Sequence, residues 1–107
     1  MEINKEQLKG YIESIILNCI STQDRYGYEI MKKIKESSND TFEMKEGTLY
    51  VVLKRLEVKG LVTSYWNDDT NGGRRKYYNI TEEGKEQLNI KKSEWSFFKE
   101  VIDKLMV

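Results

Sequence analysis

Two clusters of side chains in this chain have the right types and spacing to hold nucleic-acid phosphate and read base edges. The first is Gly47, Thr48, Tyr50, Val51, Lys54 and Arg55. They share the segment 46–59 with Leu49, Val52, Leu53 and Leu56, which recur at helical spacing and form one apolar face. The polar set therefore falls opposite or beside that face. Thr48 and Tyr50 stand near the helix start, where unpaired amides already attract phosphate, and their hydroxyls can donate to phosphates or base edges. Lys54 can reach phosphate or guanine with Arg55 flanking it, Val51 can meet a thymine methyl, and Gly47 permits close approach. The second cluster is Gly72, Arg74, Arg75 and Lys76, at the return of a Gly-rich turn, Asn71-Gly72-Gly73. Three consecutive cations on a strand cannot share a face, so two are expected on phosphate or in a minor groove and one on the opposite side. Each cluster has a plainer reading. Lys54 equally suits a solvated helix face, Thr48 a helix-neutral position and Tyr50 a cover over the second helix, and the wing cations suit an edge strand protected by charge.

The elements that must position these residues follow from periodicity. Leu61 to Trp66 and Arg75 to Ile80 are rich in β-branched and aromatic residues, and the glycines between them allow the positive φ of a hairpin tip. Tyr65, Trp66, Tyr77 and Tyr78 are assigned to strand packing rather than base stacking. A first helix is expected over Lys5 to Ile20, with Leu8, Ile12, Ile15, Ile16 and Cys19 on one side and Glu6, Gly10, Glu13 and Leu17 on another that is neither plainly core nor plainly solvent. Asp24 is the expected N-cap of a second helix that packs Tyr26, Ile30, Met31 and Ile34 inward and ends near Ser37 to Asp40. Helix, helix, strand, turn, strand is the order of a winged helix-turn-helix. Thr81 then caps a last helix with Glu82 and Glu83 in its first turn.

That last helix changes period. Leu88, Trp95 and Ile102 fall seven apart, Phe98 and Leu105 take the d positions, and Lys91 interrupts the seam. Such a stripe has no use inside a small winged domain and predicts a symmetric homodimer. Two reading helices would then lie about one DNA turn apart on a pseudo-palindromic site. The expected fold is mainly α with a small β-hairpin: a winged helix-turn-helix over residues 1–80 and a C-terminal dimerisation helix over 81–107, in one compact domain.

Composition narrows the function classes. With 107 residues the chain supports one core. No apolar run approaches the roughly 20 residues that span a bilayer, and MEINKEQLKG lacks a secretory core, so a cytoplasmic protein without membrane association is expected. One cysteine and no histidine leave no internal disulfide, no usual zinc set and no metal or cofactor expectation. Without histidine, a phosphate-binding loop or an activated nucleophile, an enzyme is not expected. Eighteen basic residues balance eighteen acidic ones. Between Met44 and Ile80, however, Lys45, Lys54, Arg55, Lys59, Arg74, Arg75 and Lys76 exceed Glu46, Glu57, Asp68 and Asp69. A local basic patch on a neutral protein attracts phosphate while keeping nonspecific binding modest.

The blocks YGYEI (26–30), EGTLY (46–50), LKRLEVKGLV (53–62), SYW (64–66), GGRRKYY (72–78) and TEEG (81–84) resemble the PadR family of bacterial transcriptional regulators. The resemblance covers the chain from about Leu8 onward. It implies a homodimeric winged-helix repressor on double-stranded DNA, with an inverted-repeat operator often of the ATGT/ACAT type. The single long C-terminal helix with a central tryptophan is similar to the compact subfamily that includes lactococcal multidrug-responsive repressors. In those relatives paired tryptophans sandwich planar aromatic or drug-like effectors at the dimer centre, and the matching residue is Trp95. Two paired indole faces suit flat or cationic ligands. Trp95 equally suits an ordinary buried dimer contact. Where the multidrug binders carry an acid this chain has Lys99, so Glu13 or Glu100 is the replacement, and Phe97 and Phe98 border or partly fill the pore. Relatives commonly have Ser before the EGTLY block. Lys45 gives up that cap, worth about 1 kcal/mol, and adds a cation beside the phosphate path. The alternative to a DNA-binding regulator is a winged-helix module for protein recognition, distinguished by a lack of salt-dependent DNA binding.

Overall fold

The computed structural model describes residues 1, 3–69 and 72–107, without the Asp69 side chain. Its elements in order are α1 (Lys5–Leu8), α2 (Ile12–Cys19), β1 (Arg25–Tyr26), α3 (Gly27–Ser37), α4 (Glu46–Val58), β2 (Val62–Asp69), β3 (Gly73–Ile80) and α5 (Glu82–Leu105). The fold is mostly helical with a small three-stranded antiparallel sheet of order β1-β3-β2.

The single first helix expected over Lys5 to Ile20 is broken. Asn4 caps α1, its side chain accepting the Glu6 amide at 2.9 Å, and the chain leaves helical geometry at Tyr11 (φ −121°, ψ −4°) directly after Gly10. Glycine loses the most conformational freedom in a helix, so the break falls there at little cost. Restarting at Ile12 lets α2 bury the adjacent pair Ile16 and Leu17, which explains why one continuous helical wheel had no clean polar side.

The start of α3 also differs from expectation. Arg25 and Tyr26 are extended and pair with Tyr78 and Tyr77 of β3, so Asp24 lies too early to cap the helix. Glu29 takes that part, its carboxylate accepting the Tyr26 amide at 3.3 Å. Asp24 instead accepts the Tyr65 hydroxyl at 2.6 Å.

The expected face of α4 is the one buried: Leu49, Val52, Leu53 and Leu56 are at most 4% exposed. The helix ends in a Schellman motif, with Gly60 at φ +77°, the Leu61 amide on the Leu56 carbonyl and the Gly60 amide on that of Glu57, both at 3.0 Å. These leucines meet Ile16, Leu17, Ile20, Ile30, Ile34, Met44, Val62, Tyr78 and Ile80 in one core. The core holds no buried polar side chain among the described residues. Thr81 caps α5 as expected, accepting the Gly84 amide at 3.0 Å, and its hydroxyl donates to the Gly60 carbonyl at 2.8 Å. One side chain thus joins the end of α4 to the start of α5.

Candidate nucleic-acid interface

On the outer side of α4, Lys45, Gly47, Thr48, Val51 and Lys54 are exposed and contiguous. Lys45 stands at the N-cap position without a side-chain cap bond, leaving the first amides of the helix for an outside acceptor. Lys45 and Lys54 form no ion pair among the described residues, whereas several other cations of the molecule do. A groove between this face and the N-terminal helices is lined by Lys5, Lys9, Lys45, Gly47, Thr48, Val51 and Arg55 together with the acids Glu6 and Glu43, so cations outnumber acids along the front of α4.

Two other expected members of the set have partners within the protein. The Tyr50 ring, though 43% exposed, lies directly on Gly27 at the start of α3, and a Cβ there would collide with its hydroxyl. That close approach fixes the two helices of the reading head against each other. Arg55 Nε donates to Glu13 at 2.8 Å, and Lys59 Nζ lies 2.9 Å from the same carboxylate. Partial burial works to raise the Glu13 carboxyl, but the hydrogen bonds and charges of Arg55 and Lys59 outweigh it and hold it below its ordinary range. Nothing in helical periodicity pairs residue 13 with 55. The signal was present only as an acid on the ambiguous side of the first helix.

In the wing, β2 and β3 pair in continuous register from Val62↔Ile80 to Asp69↔Gly73. The tip expected at Asn71-Gly72-Gly73 lies partly outside the described residues, which exclude Asn71; Gly72 is exposed at its edge. The cations divide as strand alternation requires. Arg74 lies 5.3 Å from the Trp66 ring centroid, and Lys76 lies 3.9 Å from Glu57 of α4 and 5.8 Å from the Tyr78 ring. Arg75 is on the other face, its guanidinium 4.4 Å from the Tyr26 ring and bonded to the Tyr26 hydroxyl. Tyr65 and Tyr77 stack at 5.8 Å beside it, and the Asp24 carboxylate holds the Tyr65 hydroxyl up at about 12. Tyr65 and Tyr77 thus pack along the sheet and Tyr78 joins the core, but Trp66 remains 57% exposed under Arg74.

The last helix leaves the body of the protein along its second half. Leu88, assigned to the dimer seam, is only 4% exposed and belongs to the protomer's own core, because this first part of α5 packs on α2. The exposed seam begins later, with Trp95 at 48%, Phe98 at 51%, Ile102 at 39% and Leu105 at 72%. Trp95 meets Tyr11 edge-on at 5.4 Å and Phe98 at 6.2 Å, and Lys91 lies 4.8 Å from the Tyr11 ring. The lysine that interrupts the apolar repeat therefore covers an aromatic ring of its own protomer. Trp95 borders an apolar cavity of about 360 Å³ with Leu8, Tyr11, Ile15, Ile34 and Leu88. Glu13 does not line that cavity; it faces the opposite side of α2, toward Arg55 and Lys59. No group of acids and cysteine capable of holding a metal occurs among the described residues, and no described helix is long and apolar enough to cross a membrane.

Helices packed as a reading head, a sheet hairpin beside the reading helix and one long projecting helix define a winged helix-turn-helix regulator. Residues 16–90 match the model described as the transcriptional regulator PadR-like family, and the chain belongs to that family. It is similar to a transcriptional regulator from Clostridium thermocellum of known structure, with a TM-score of 0.86 and 40% identity, covering 95% of this chain and 96% of that one. A PadR family transcription regulator from Clostridium difficile gives a TM-score of 0.81 and 47% identity over 92% of this chain and 100% of that one. The uncharacterised protein X of Lysinibacillus sphaericus is 44% identical over 104 residues, 97% of this chain and 95% of that protein. This chain is accordingly a DNA-binding transcriptional regulator.

Proposed function

We propose that the protein is a homodimeric repressor that binds a pseudo-palindromic operator and responds to a planar aromatic small molecule near the dimer centre. The observation that carries this reading is the exposed stripe Trp95, Phe98, Ile102 and Leu105 on the projecting half of α5. Four large apolar residues on one helical stripe favour burial against another surface, and a second copy of the same stripe is the self-complementary solution. Lys45, Gly47, Thr48, Val51 and Lys54 enter the major groove, and Arg74 with the wing edge meets phosphate or the minor groove. Dimerisation would bring two Trp95 indoles toward one axis, where flat, electron-poor or cationic rings stack between them. The protein works in the cytoplasm, on its own operon or a neighbouring one.

Selection of random duplex DNA by the purified protein at moderate salt, with sequencing of the retained fraction, tests the reading. An inverted repeat with half-sites about one turn apart is expected. Recovery of nothing above background would overturn it in favour of a protein-recognition module.

A further inference from the structure

The C-terminal half of the reading helix and its C-cap carry three cations, Lys54, Arg55 and Lys59, of which only Lys54 lacks an ion-pair partner among the described residues. The other two converge on one carboxylate contributed by a different helix. Glu13 Oε2 accepts Arg55 Nε at 2.8 Å, and Lys59 Nζ lies 3.0 and 2.9 Å from the two carboxylate oxygens. Glu13 stands in the first turn of α2, where the helix dipole also favours a negative charge. Its side chain is 30% exposed and those of Arg55 and Lys59 are 49% and 48% exposed, so the trio lies at the protein surface rather than in the core. Arg55 also borders the groove that contains Gly47, Thr48 and Val51. Its guanidinium is therefore beside the face offered to DNA while bound to a carboxylate of its own chain.

We propose that Glu13 acts as an internal competitor of DNA phosphate, holding Arg55 and Lys59 off the DNA backbone and so setting the strength and salt dependence of binding. The proposal rests on the DNA-binding reading above. Phosphate contacts supply most of nonspecific affinity and carry no sequence information. Withholding two of them lowers binding to every sequence alike and leaves the base-reading residues Thr48, Val51 and Lys54 to decide the site. The ratio of operator to random affinity is unchanged, while the absolute affinity for both is held down although the reading helix is rich in cations.

The test compares a selected operator duplex and a scrambled duplex across a salt series, with the full-length wild type, Glu13→Gln, and Arg55→Gln combined with Lys59→Gln. Each released phosphate contact steepens the dependence of log K on log salt by about 0.9. Two released contacts therefore enlarge the loss of affinity between 50 and 200 mM salt by about 12-fold, and one contact by about 3.5-fold. Glu13→Gln should show such a gain on operator and scrambled DNA alike, with the operator preference unchanged. The Arg55, Lys59 double variant, made in the presence of Glu13, should leave the wild-type slope on scrambled DNA unchanged, and adding it to Glu13→Gln should cancel the gain. A Glu13→Gln protein that melts lower but keeps the wild-type slope would make Glu13 a packing brace and overturn the proposal. A double variant that flattens the slope by about two contacts would show both cations already on phosphate, with the same result. A wild type that binds no duplex at any salt would instead fail the DNA-binding reading itself, which the salt series registers separately.

Discussion

Replacing Thr81 by Val should uncouple the reading head from the long helix. The Thr81 hydroxyl accepts the Gly84 amide at 3.0 Å and donates to the Gly60 carbonyl at 2.8 Å, while its own amide bonds the Leu61 carbonyl at 3.1 Å. Valine keeps the shape and the backbone bond and removes the other two. Loss of the cap costs about 1 kcal/mol. The second bond contributes less, about 0.5 kcal/mol, because Gly60 is exposed and water can replace the donor. The sum of about 1.5 kcal/mol corresponds to a fall in Tm of roughly 6 to 10 °C for a chain of this size. Thermal unfolding of wild type, Thr81→Val and Thr81→Ser checks it, with protein concentration held fixed because self-association raises apparent stability. Serine retains both bonds and should stay within about 3 °C of wild type. A valine variant as stable as wild type, or a serine variant as unstable as valine, would refute the hydrogen-bonded joint.

Phe98→Asp places a charge in the exposed α5 stripe and should give monomers in sedimentation with operator affinity reduced at least tenfold; a stable dimer would refute the assigned seam. Trp95→Ala should abolish quenching by planar cationic dyes without weakening operator binding, and equal dye binding in the variant would dismiss the paired-indole site. Arg74→Ala should flatten the salt dependence of binding by about one contact, or 0.9 in slope, on operator and scrambled DNA alike; an unchanged slope would take Arg74 off the phosphate. Burial pushes the Cys19 thiol up to about 11, so native Cys19 should resist alkylation at pH 8 and react once the protein is unfolded in denaturant. Because the neutral thiol is the form favoured in the fold, this group's contribution to stability is complete below about pH 9 and is lost as pH rises through about 11. Rapid native alkylation would contradict the packing of α2.

The features with repeating patterns could be read from sequence. The apolar face of α4, the two wing strands and the Thr81 cap each follow from local spacing and appear as expected. The features that were missed depend on distant partners. β1 is two residues long, too short for any periodicity, and exists because β3 offers an open edge. The break near Gly10 is decided by what α2 must bury, since both Ile16 and Leu17 need the core. Asp24 has the chemistry of a cap and was drawn to Tyr65 instead, 41 positions away. Among the proposed interface residues, types alone marked Arg55 as available and left Tyr50 open between DNA and a cover over the second helix. Only the three-dimensional arrangement gives them Glu13 and Gly27 as partners.

The hydroxyl joint at Thr81 also makes α5 a lever. At 1.5 Å per residue its 24 residues extend about 36 Å from the base at the reading head to the tip. In a dimer joined along the outer half of this helix the arm from seam to head is about 18 Å, so a tilt of about 10° at the seam would carry each head roughly 3 Å, close to one base-pair step. A small molecule wedged beside Trp95 would therefore not need to deform the head at all. Changing the angle between two rigid arms by about 10° is enough to put both reading helices out of step with successive grooves.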